Sequence, residues 1–226
     1  MLKSAVVAAL VLATACTHQS QMESHAGAGA WRSLFDGNTM SGWRSFEADT
    51  VIGWHAENGE IVKDRRARDL MTKDQYANFE LEIEWKIGKG GNSGLFYRGT
   101  KEYDHIYWSA PEYQLEDDVN ADDNKTAFNR TGAAYAVYPT VDGHVKPFDE
   151  WNATRIVVNG PHVEHWLNGF KVLEYELWSA DWKAKVQASK FNAWANYGLA
   201  KKGYIAIQGD HPGTLVLRNV RIRELP

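Results

Sequence analysis

The stretch Phe79-Glu80-Leu81-Glu82-Ile83-Glu84-Trp85-Lys86-Ile87 alternates strictly between apolar and charged side chains. A period of two is typical of a β-strand, because successive side chains of an extended chain point to opposite sides. The apolar residues are therefore predicted to enter a core, and the charged residues to face solvent. A single strand cannot bury this face alone, so the rest of the chain is expected to supply further strands.

Short strands separated by turn residues are predicted along most of the remaining chain. Asn168-Gly169 favours a type I′ turn between strands at residues 162–167 and 170–173. Further strands are predicted at residues 93–98, 155–159, 203–208 and 214–223. Only residues 179–196 have a helical pattern, with Trp182, Val186, Ser189 and Ala193 on one face. This organisation predicts an all-β sandwich or jelly roll of antiparallel sheets with one short helix.

Composition narrows the range of functions. The chain has 226 residues and a formal net charge of −4, and no basic stretch is interleaved with aromatic residues. Nucleic-acid binding is therefore not expected. Ten tryptophans and ten tyrosines are many for this length. Some of them belong to a core, but aromatic rings also stack on the C–H faces of sugars, which favours a carbohydrate-binding groove.

The first residues resemble a bacterial lipoprotein signal. Lys3 is followed by an apolar run at residues 5–13 that is too short to span a bilayer, and Ala13-Thr14-Ala15 precedes Cys16, the single cysteine. We expect a signal peptide at residues 1–15, a lipid on Cys16, a flexible tether at residues 16–30 and one domain at residues 31–226. The expected location is the periplasm or cell envelope, lipid-anchored in the outer membrane because residue 17 is Thr, not Asp. An ordinary signal peptide with an incidental cysteine is the alternative.

A second alternating stretch, Pro111-Glu112-Tyr113-Gln114-Leu115-Glu116-Asp117-Asp118, carries the functional signal. Glu112, Gln114 and Glu116 are predicted to share one face of a strand, with Tyr113 and Leu115 on the other. The stretch follows an aromatic cluster (Tyr103, His105, Tyr107 and Trp108) and a glycine-rich strand that ends at Arg98. Acids, amides, aromatic rings and an arginine are the groups that a sugar-binding groove needs.

Three residues are predicted to take part in catalysis. Glu112 is assigned as a base or metal ligand. Arg98 is assigned to polarise the substrate or to hold a carboxylate, because its charge is permanent and its donors are forked. His211, in the loop between the last two strands, is a candidate acid, base or ligand. The residues predicted to bind substrate are Asn92, Tyr97, Gln114 and Gln208.

Metal use is left open by the sequence. No His-x-His or His-Glu-x-x-His pattern is present, so a strong zinc signature is absent. A divalent ion that stabilises an enolate remains a possible cofactor, with Glu112 and Asp117 as its predicted ligands. The acids after Glu116 fit a solvated loop equally well. No other cofactor is expected.

Several blocks of sequence, taken in order, resemble one known family. They include Leu34-Phe35-Asp36-Gly37, Gly91-Asn92-Ser93-Gly94, Pro111-Glu112-Tyr113-Gln114 and His165-Trp166-Leu167-Asn168-Gly169. Taken together, they resemble the 3-keto-glycoside hydrolase, or 3-keto-glucoside 1,2-lyase/hydratase, family from about residue 31 to residue 225. One difference is visible, because Leu115-Glu116-Asp117-Asp118 replaces a Leu-Asp-Asn-like segment, which leaves the role of Asp117 open.

The resemblance implies a concanavalin A-like jelly-roll sandwich with a sugar in the groove of its concave sheet. It also implies a secreted, often lipid-anchored protein that acts on glycosides whose C3 hydroxyl is oxidised to a ketone. Such a ketone makes the C2 proton acidic, so a base can remove it, the C1 substituent can leave, and water can add to the product. A conventional glycosidase with paired carboxylates and a non-catalytic, lectin-like sugar-binding module are the alternatives.

Overall fold

The computed structural model describes residues 27–226, so the predicted signal peptide, Cys16 and most of the tether lie outside the described residues. Within this range, no helix is long and apolar enough to cross a membrane. The strands are β1 (Arg32–Ser33), β2 (Trp43–Ser45), β3 (Trp54–Glu57), β4 (Glu60–Lys63), β5 (Leu70–Tyr76), β6 (Phe79–Ile87), β7 (Asn92–Gly99), β8 (Glu112–Glu116), β9 (Asn152–Asn159), β10 (His162–Leu167), β11 (Phe170–Glu176), β12 (Gly203–Ile207) and β13 (Leu215–Glu224). The α-helix α1 spans Ala180–Ala188, and two 3₁₀ turns lie at Ile106–Trp108 and Lys190–Ala193.

The strands form two antiparallel sheets that pack face to face. The eight-stranded sheet has the order β11-β10-β9-β6-β13-β4-β3, with β1 also paired to β13, and the five-stranded sheet has the order β2-β5-β12-β7-β8. The alternating stretch is β6, between β9 and β13, and all of its apolar side chains are buried. At the β10–β11 turn, Asn168 and Gly169 both have positive φ, as a type I′ turn requires. The predicted all-β sandwich of two antiparallel sheets with one short helix is confirmed.

The charged face of β6 differs from the simple solvated face that the sequence predicts. Glu82 accepts a hydrogen bond from Arg221 at 2.7 Å, and Glu84 accepts one from Arg218 at 2.7 Å. Glu80 is fully buried and is bonded by Arg155 at 2.9 Å. The outer surface of the large sheet is thus a ladder of ion pairs across neighbouring strands.

The five-stranded sheet has one apolar and one polar face near its edge. Leu95 of β7 packs into the core between the sheets, together with Tyr113 and Leu115 of β8. Glu112, Gln114 and Glu116 point to the opposite face, as the period of two predicts. That face is therefore where a polar site can form.

The helical segment is shorter than predicted. Helix α1 ends at Ala188, because Ser189 is extended with φ −93° and ψ 173°. The Ser189 hydroxyl donates to Val186 O at 2.8 Å and accepts from Phe191 N at 3.1 Å, so it ends α1 and begins the next 3₁₀ turn. The face predicted to run from Trp182 to Ala193 is interrupted, and the turn instead carries Lys190 and Phe191 to the five-stranded sheet.

Candidate active site

A polar groove of about 230 Å³ lies on the outer face of the five-stranded sheet. Strands β7 and β8 form its floor, and the loop after β12 and the turn after α1 form its sides. Its lining residues are Asn92, Tyr107, Glu112, Gln114, Asp123, Tyr135, Lys190, Phe191, Gln208, Asp210 and His211. The groove thus brings together five of the residues predicted from sequence, namely Asn92, Glu112, Gln114, Gln208 and His211.

Glu112 is buried in the groove floor without a fixed partner. Its residue is 5% exposed, and none of the residues that the structure describes forms a hydrogen bond or ion pair with its carboxyl group. Burial raises the pKa of Glu112 to about 8, and the neighbouring Lys190 opposes that rise. A carboxyl group with these properties can accept or release a proton near neutral pH.

Gly94 makes the space that the Glu112 side chain occupies. It lies on β7 opposite Gln114, two residues before Phe96, which pairs directly with Glu112. A Cβ atom on Gly94 would lie 2.7 Å from Glu112 Cδ, well inside contact distance. The second glycine of the Gly91-Asn92-Ser93-Gly94 block therefore has a steric role, because no larger residue fits beneath the carboxyl group.

Two amides in the groove have unused acceptor atoms. The Oε1 atoms of Gln114 and Gln208 are buried, and no described residue donates to them. Gln114 Nε2 donates to Asn92 Oδ1 at 3.4 Å, which orients its Oε1 away from Asn92. A buried acceptor without a donor is costly, so these atoms fit a ligand that brings several hydroxyl groups.

Lys190 is a groove residue that the sequence interpretation missed. Its ammonium group lies 4.2 Å from the ring centroid of Tyr135, whose hydroxyl donates to Asp123 at 2.6 Å. Partial burial lowers the pKa of Lys190, whereas the charges of Glu112 and Asp123 raise it. The sequence pattern places Lys190 on the solvated face of a predicted helix, so its role in the groove was missed. The one sequence feature that indicated a helix end before it was Ser189, because serine favours helix ends.

The loop that carries His211 is anchored at two points. Asp69 is buried and accepts a hydrogen bond from Gly209 N at 2.9 Å, and burial raises the pKa of Asp69 to about 7. Lys63 Nζ donates to the backbone carbonyl of His211. His211 itself is exposed and lines the groove at its rim.

Arg98 does not reach the groove, and its predicted catalytic role is corrected. Its guanidinium donates to Ala77 O and Gly160 O, both at 2.8 Å, and to Asn78 Oδ1 at 3.1 Å. The cause is a β-bulge: β7 has two residues between Phe96 and Gly99 where β12 has one, and Arg98 has a φ of 54°. The alternation of side chains between the two faces of β7 is therefore broken at Arg98. Its guanidinium instead links the turn after β5 to the turn after β9.

Tyr97 is also misplaced by the sequence interpretation. It is fully buried between the sheets, and its hydroxyl is bonded to His165 Nε2 at 2.9 Å and to the hydroxyl of Tyr175. His165 Nδ1 lies 2.8 Å from the carbonyl of Gly132, and burial lowers the pKa of His165 to about 4. The neutral imidazole therefore donates from Nδ1 and accepts from Tyr97, so Tyr97 joins the two sheets and does not bind substrate.

Asp117 does not share a site with Glu112. Burial opposes its ionisation, but hydrogen bonds from Gly90 N and the Asn120 side chain, both at 2.8 Å, lower the pKa of Asp117. Backbone N–H groups of Val119 and Asn120 bond its other oxygen. Both oxygens thus hold the loop after β8, and the predicted pair of metal ligands is not assembled.

One group of metal-binding side chains occurs elsewhere in the described part of the chain. His162, Glu164 and Glu174 place one ligand atom each within 4.8 Å of one another on β10 and β11. Lys171 and Glu176 already pair with this group, which lies on the eight-stranded sheet. It is therefore separate from the groove.

A larger cavity of about 780 Å³ lies on the outer face of the eight-stranded sheet. It is lined in part by Trp31, Trp166 and the Glu82–Arg221 pair. Its charged side chains are matched by partners, and none of them combines burial with a free carboxyl group. The smaller groove therefore remains the better candidate for catalysis.

A family model and a curated relative both match most of the chain. Residues 30–223 match the model of the 3-keto-alpha-glucoside-1,2-lyase-like domain. The chain is 38% identical to a 3-keto-disaccharide hydrolase from Bacteroides thetaiotaomicron, over an alignment that covers 85% of this chain and 77% of that protein.

Solved structures resemble the fold closely. A candidate glycosyl hydrolase from Parabacteroides distasonis is 35% identical with a TM-score of 0.82, and the match covers 88% of this chain and 94% of that one. A second from the same organism is 29% identical with a TM-score of 0.70, covering 87% and 100%. A family 16 endo-β-1,3(4)-glucanase, 9% identical with a TM-score of 0.53 over 92% and 99%, resembles the fold alone. The concanavalin A-like jelly roll is thereby confirmed.

Proposed function

The chain belongs to the 3-keto-alpha-glucoside-1,2-lyase-like family, and we propose that it cleaves 3-keto-glycosides by removing the C2 proton and eliminating the C1 substituent. The matches to this family support the general statement that the protein is a carbohydrate hydrolase. The finer mechanism rests on one observation, the buried and unpartnered carboxyl group of Glu112.

Glu112 is the base in this proposal. A C3 ketone acidifies the C2 proton, and a carboxylate whose pKa lies near 8 is a better proton acceptor than an exposed one with an ordinary pKa. The electron pair of the C2–H bond first delocalises onto the C3 oxygen as an enolate, and it then forms the C1–C2 double bond as the C1–O bond breaks. The protonated Glu112 exchanges its proton with solvent before hydration, and it delivers a solvent-derived proton to C2 when water adds at C1, so net hydrolysis follows.

Lys190 and His211 complete the proton and charge balance. Lys190 lines the groove together with Glu112, and the charges of the two groups interact. In this proposal Lys190, and not Arg98, stabilises the enolate oxygen at C3. His211 is positioned at the rim to protonate the leaving oxygen and afterwards to take a proton from the incoming water. We assign no step to a metal ion, because Asp117 is occupied by its own loop.

The amides of the groove hold the sugar in place. Gln114 and Gln208 offer the buried oxygens that lack donors, and sugar hydroxyl groups supply such donors. Asn92 lies between Gln114 and Glu116 and has hydrogen bonds to both. We infer that these three amides recognise hydroxyl groups on the ring that carries the ketone.

A substrate panel tests the proposal. Purified protein is incubated with methyl 3-keto-α-glucoside and, separately, with methyl α-glucoside, and methanol release is measured. Release from the ketone alone, with transient enone absorbance, is expected. Cleavage of the unoxidised glycoside would indicate a conventional glycosidase, and binding without any turnover would indicate a lectin-like module.

A further inference from the structure

Four partly exposed aromatic residues form a continuous wall beside the groove. We call His105, Tyr107, Trp108 and Trp194 the aromatic wall. Tyr107 lines the groove itself, and His105 stacks on it with a centroid distance of 4.8 Å and an interplanar angle of 18°. Trp108 meets His105 edge-on at 4.6 Å and stacks on Trp194 at 5.0 Å. The wall therefore begins at the groove and continues away from it.

Two loops hold the aromatic wall in place from behind. Beneath the 3₁₀ turn that carries Tyr107 and Trp108, Ile106 is fully buried in the small apolar cluster on this face of the sheet. The loop that carries Trp194 is joined to this one by a hydrogen bond from Gly198 N to Ser109 O at 2.9 Å. The wall is thus supported by buried groups even though its own rings remain partly exposed.

The rim of the aromatic wall is polar. Asn196 Nδ2 donates to Glu102 Oε2 at 2.8 Å, and both residues are exposed. Exposed aromatic faces bordered by a carboxylate and an amide match the two surfaces of a sugar ring, which has apolar C–H faces and hydroxyl groups at its edge. A purely aromatic ligand would use the faces but not this rim.

We propose that the aromatic wall is the leaving-group subsite, which binds a second pyranose ring attached at C1 of the ring that carries the ketone. The proposal rests on the function proposed above, since the ring that carries the ketone must lie over Glu112. The second ring then extends past Tyr107 and stacks on the Trp108 and Trp194 portion of the wall. The wall contributes to binding and makes no contact with the reacting atoms.

The test compares two substrates that differ only in the leaving group: 3-keto-maltose, oxidised on its non-reducing ring, and methyl 3-keto-α-glucoside. In Trp108→Ala and Trp194→Ala, KM for 3-keto-maltose is expected to rise about threefold to tenfold, with KM for the methyl glycoside within twofold of wild type. Trp194→Phe, which keeps a ring, is expected to restore most of the affinity.

Trp151→Ala is the matched control. Trp151 is also half-buried but lies on the other sheet, where Arg218 stacks on it at 3.9 Å. No change in KM for either substrate is expected from it. Equal increases for both substrates in the wall variants, or no increase for 3-keto-maltose, would overturn the proposal.

Failure of the subsite and failure of the proposed function are distinguishable. If the protein turns over neither ketone, binding of unoxidised maltose and methyl α-glucoside is measured by tryptophan fluorescence. Tighter binding of maltose that Trp194→Ala abolishes would support the subsite even without catalysis. Equal binding of the two sugars by wild type would refute it.

Discussion

Glu112 combines burial, a free carboxyl group and a glycine beneath it. Each property has a separate cause: its strand register turns it outward, Gly94 leaves room for it, and the surrounding loops exclude water. Together they raise its pKa to about 8, mainly through burial. Glu116 lies on the same face and also has a pKa raised to about 8 by burial, but it is fully buried and does not line the groove.

Replacing the Glu112 carboxyl group should abolish proton transfer and leave the fold intact. Glu112→Gln is expected to lower kcat by roughly 10²- to 10⁴-fold, the usual contribution of one proton-transfer group. Glu116→Gln, the same change on the same strand, should keep kcat within about threefold. The rising limb of the wild-type pH profile of kcat/KM should have its midpoint near the Glu112 pKa of about 8. Equal losses in the two variants would remove Glu112 from the mechanism.

The same pKa has a consequence for stability. Because the folded-state pKa of Glu112 is raised from 4.5 to about 8, folding holds its proton, and its contribution to stability declines as pH rises through this range. Glu112→Gln lacks that loss. Its free energy of unfolding relative to wild type should increase from pH 5 to pH 9, by an amount on the order of a few kcal/mol. Urea denaturation at both pH values measures this, and parallel pH profiles would contradict the assigned burial.

Gly94 gives a steric test of the same residue. In Gly94→Ala, the new methyl group would lie 2.7 Å from Glu112 Cδ, so the carboxyl group must move. Activity should fall at least about tenfold, since small displacements of a reacting group are costly. Gly42→Ala is the control, because its nearest neighbour would lie at an ordinary 3.4 Å. Full activity in Gly94→Ala would show that the carboxyl position is not critical.

At the scale of elements, two departures from regular structure build the site. The bulge in β7 turns Arg98 away from the groove, and the break at Ser189 brings Lys190 into it. Neither is visible in a periodic pattern. A bulge depends on pairing with a distant strand, and the break depends on a hydroxyl that competes with the helix for hydrogen bonds. The sequence therefore predicted the face of Glu112 correctly and the position of Arg98 incorrectly, and it did not identify Lys190.

The break at Ser189 can be tested against a similar cap. Ser189→Ala removes hydrogen bonds to Val186 O and from Phe191 N, and Ser179→Ala removes the corresponding bonds to Glu176 O and from Trp182 N. Each should cost about 1 kcal/mol of unfolding free energy. Only Ser189→Ala should also lower kcat, because only it loosens the turn that holds Lys190. Equal effects of the two variants on kcat would exclude this positioning role.

At the scale of the whole molecule, the two sheets have different tasks. The eight-stranded sheet carries paired charges on its outer face, whereas the five-stranded sheet carries the groove. Strict alternation predicted β6 and β8, because a buried face imposes it, whereas the seven-residue strand β5 was not predicted, since its burial does not alternate. The short strands β1 to β4 were not predicted, since two to four residues contain too little periodicity to detect.

The hydrogen bonds of the Tyr97 hydroxyl join the two sheets. A Tyr97 variant therefore tests this structural role against the substrate-binding role that the sequence predicted. Tyr97→Phe leaves His165 Nε2 and the Tyr175 hydroxyl without their shared partner. It should cost about 1–3 kcal/mol and lower Tm by several degrees. KM measured below the transition should not change. A raised KM in a fully folded variant would restore Tyr97 to the binding site.

Removal of the C2 proton, the step assigned to Glu112, is tested by hydrolysing methyl 3-keto-α-glucoside in D₂O. Elimination followed by hydration takes the new C2 hydrogen from solvent. The 3-keto-glucose released in the first turnovers is expected to carry deuterium at C2, detected by NMR, in excess of the exchange of free product in a parallel incubation. First-turnover product that retains protium at C2 would contradict it.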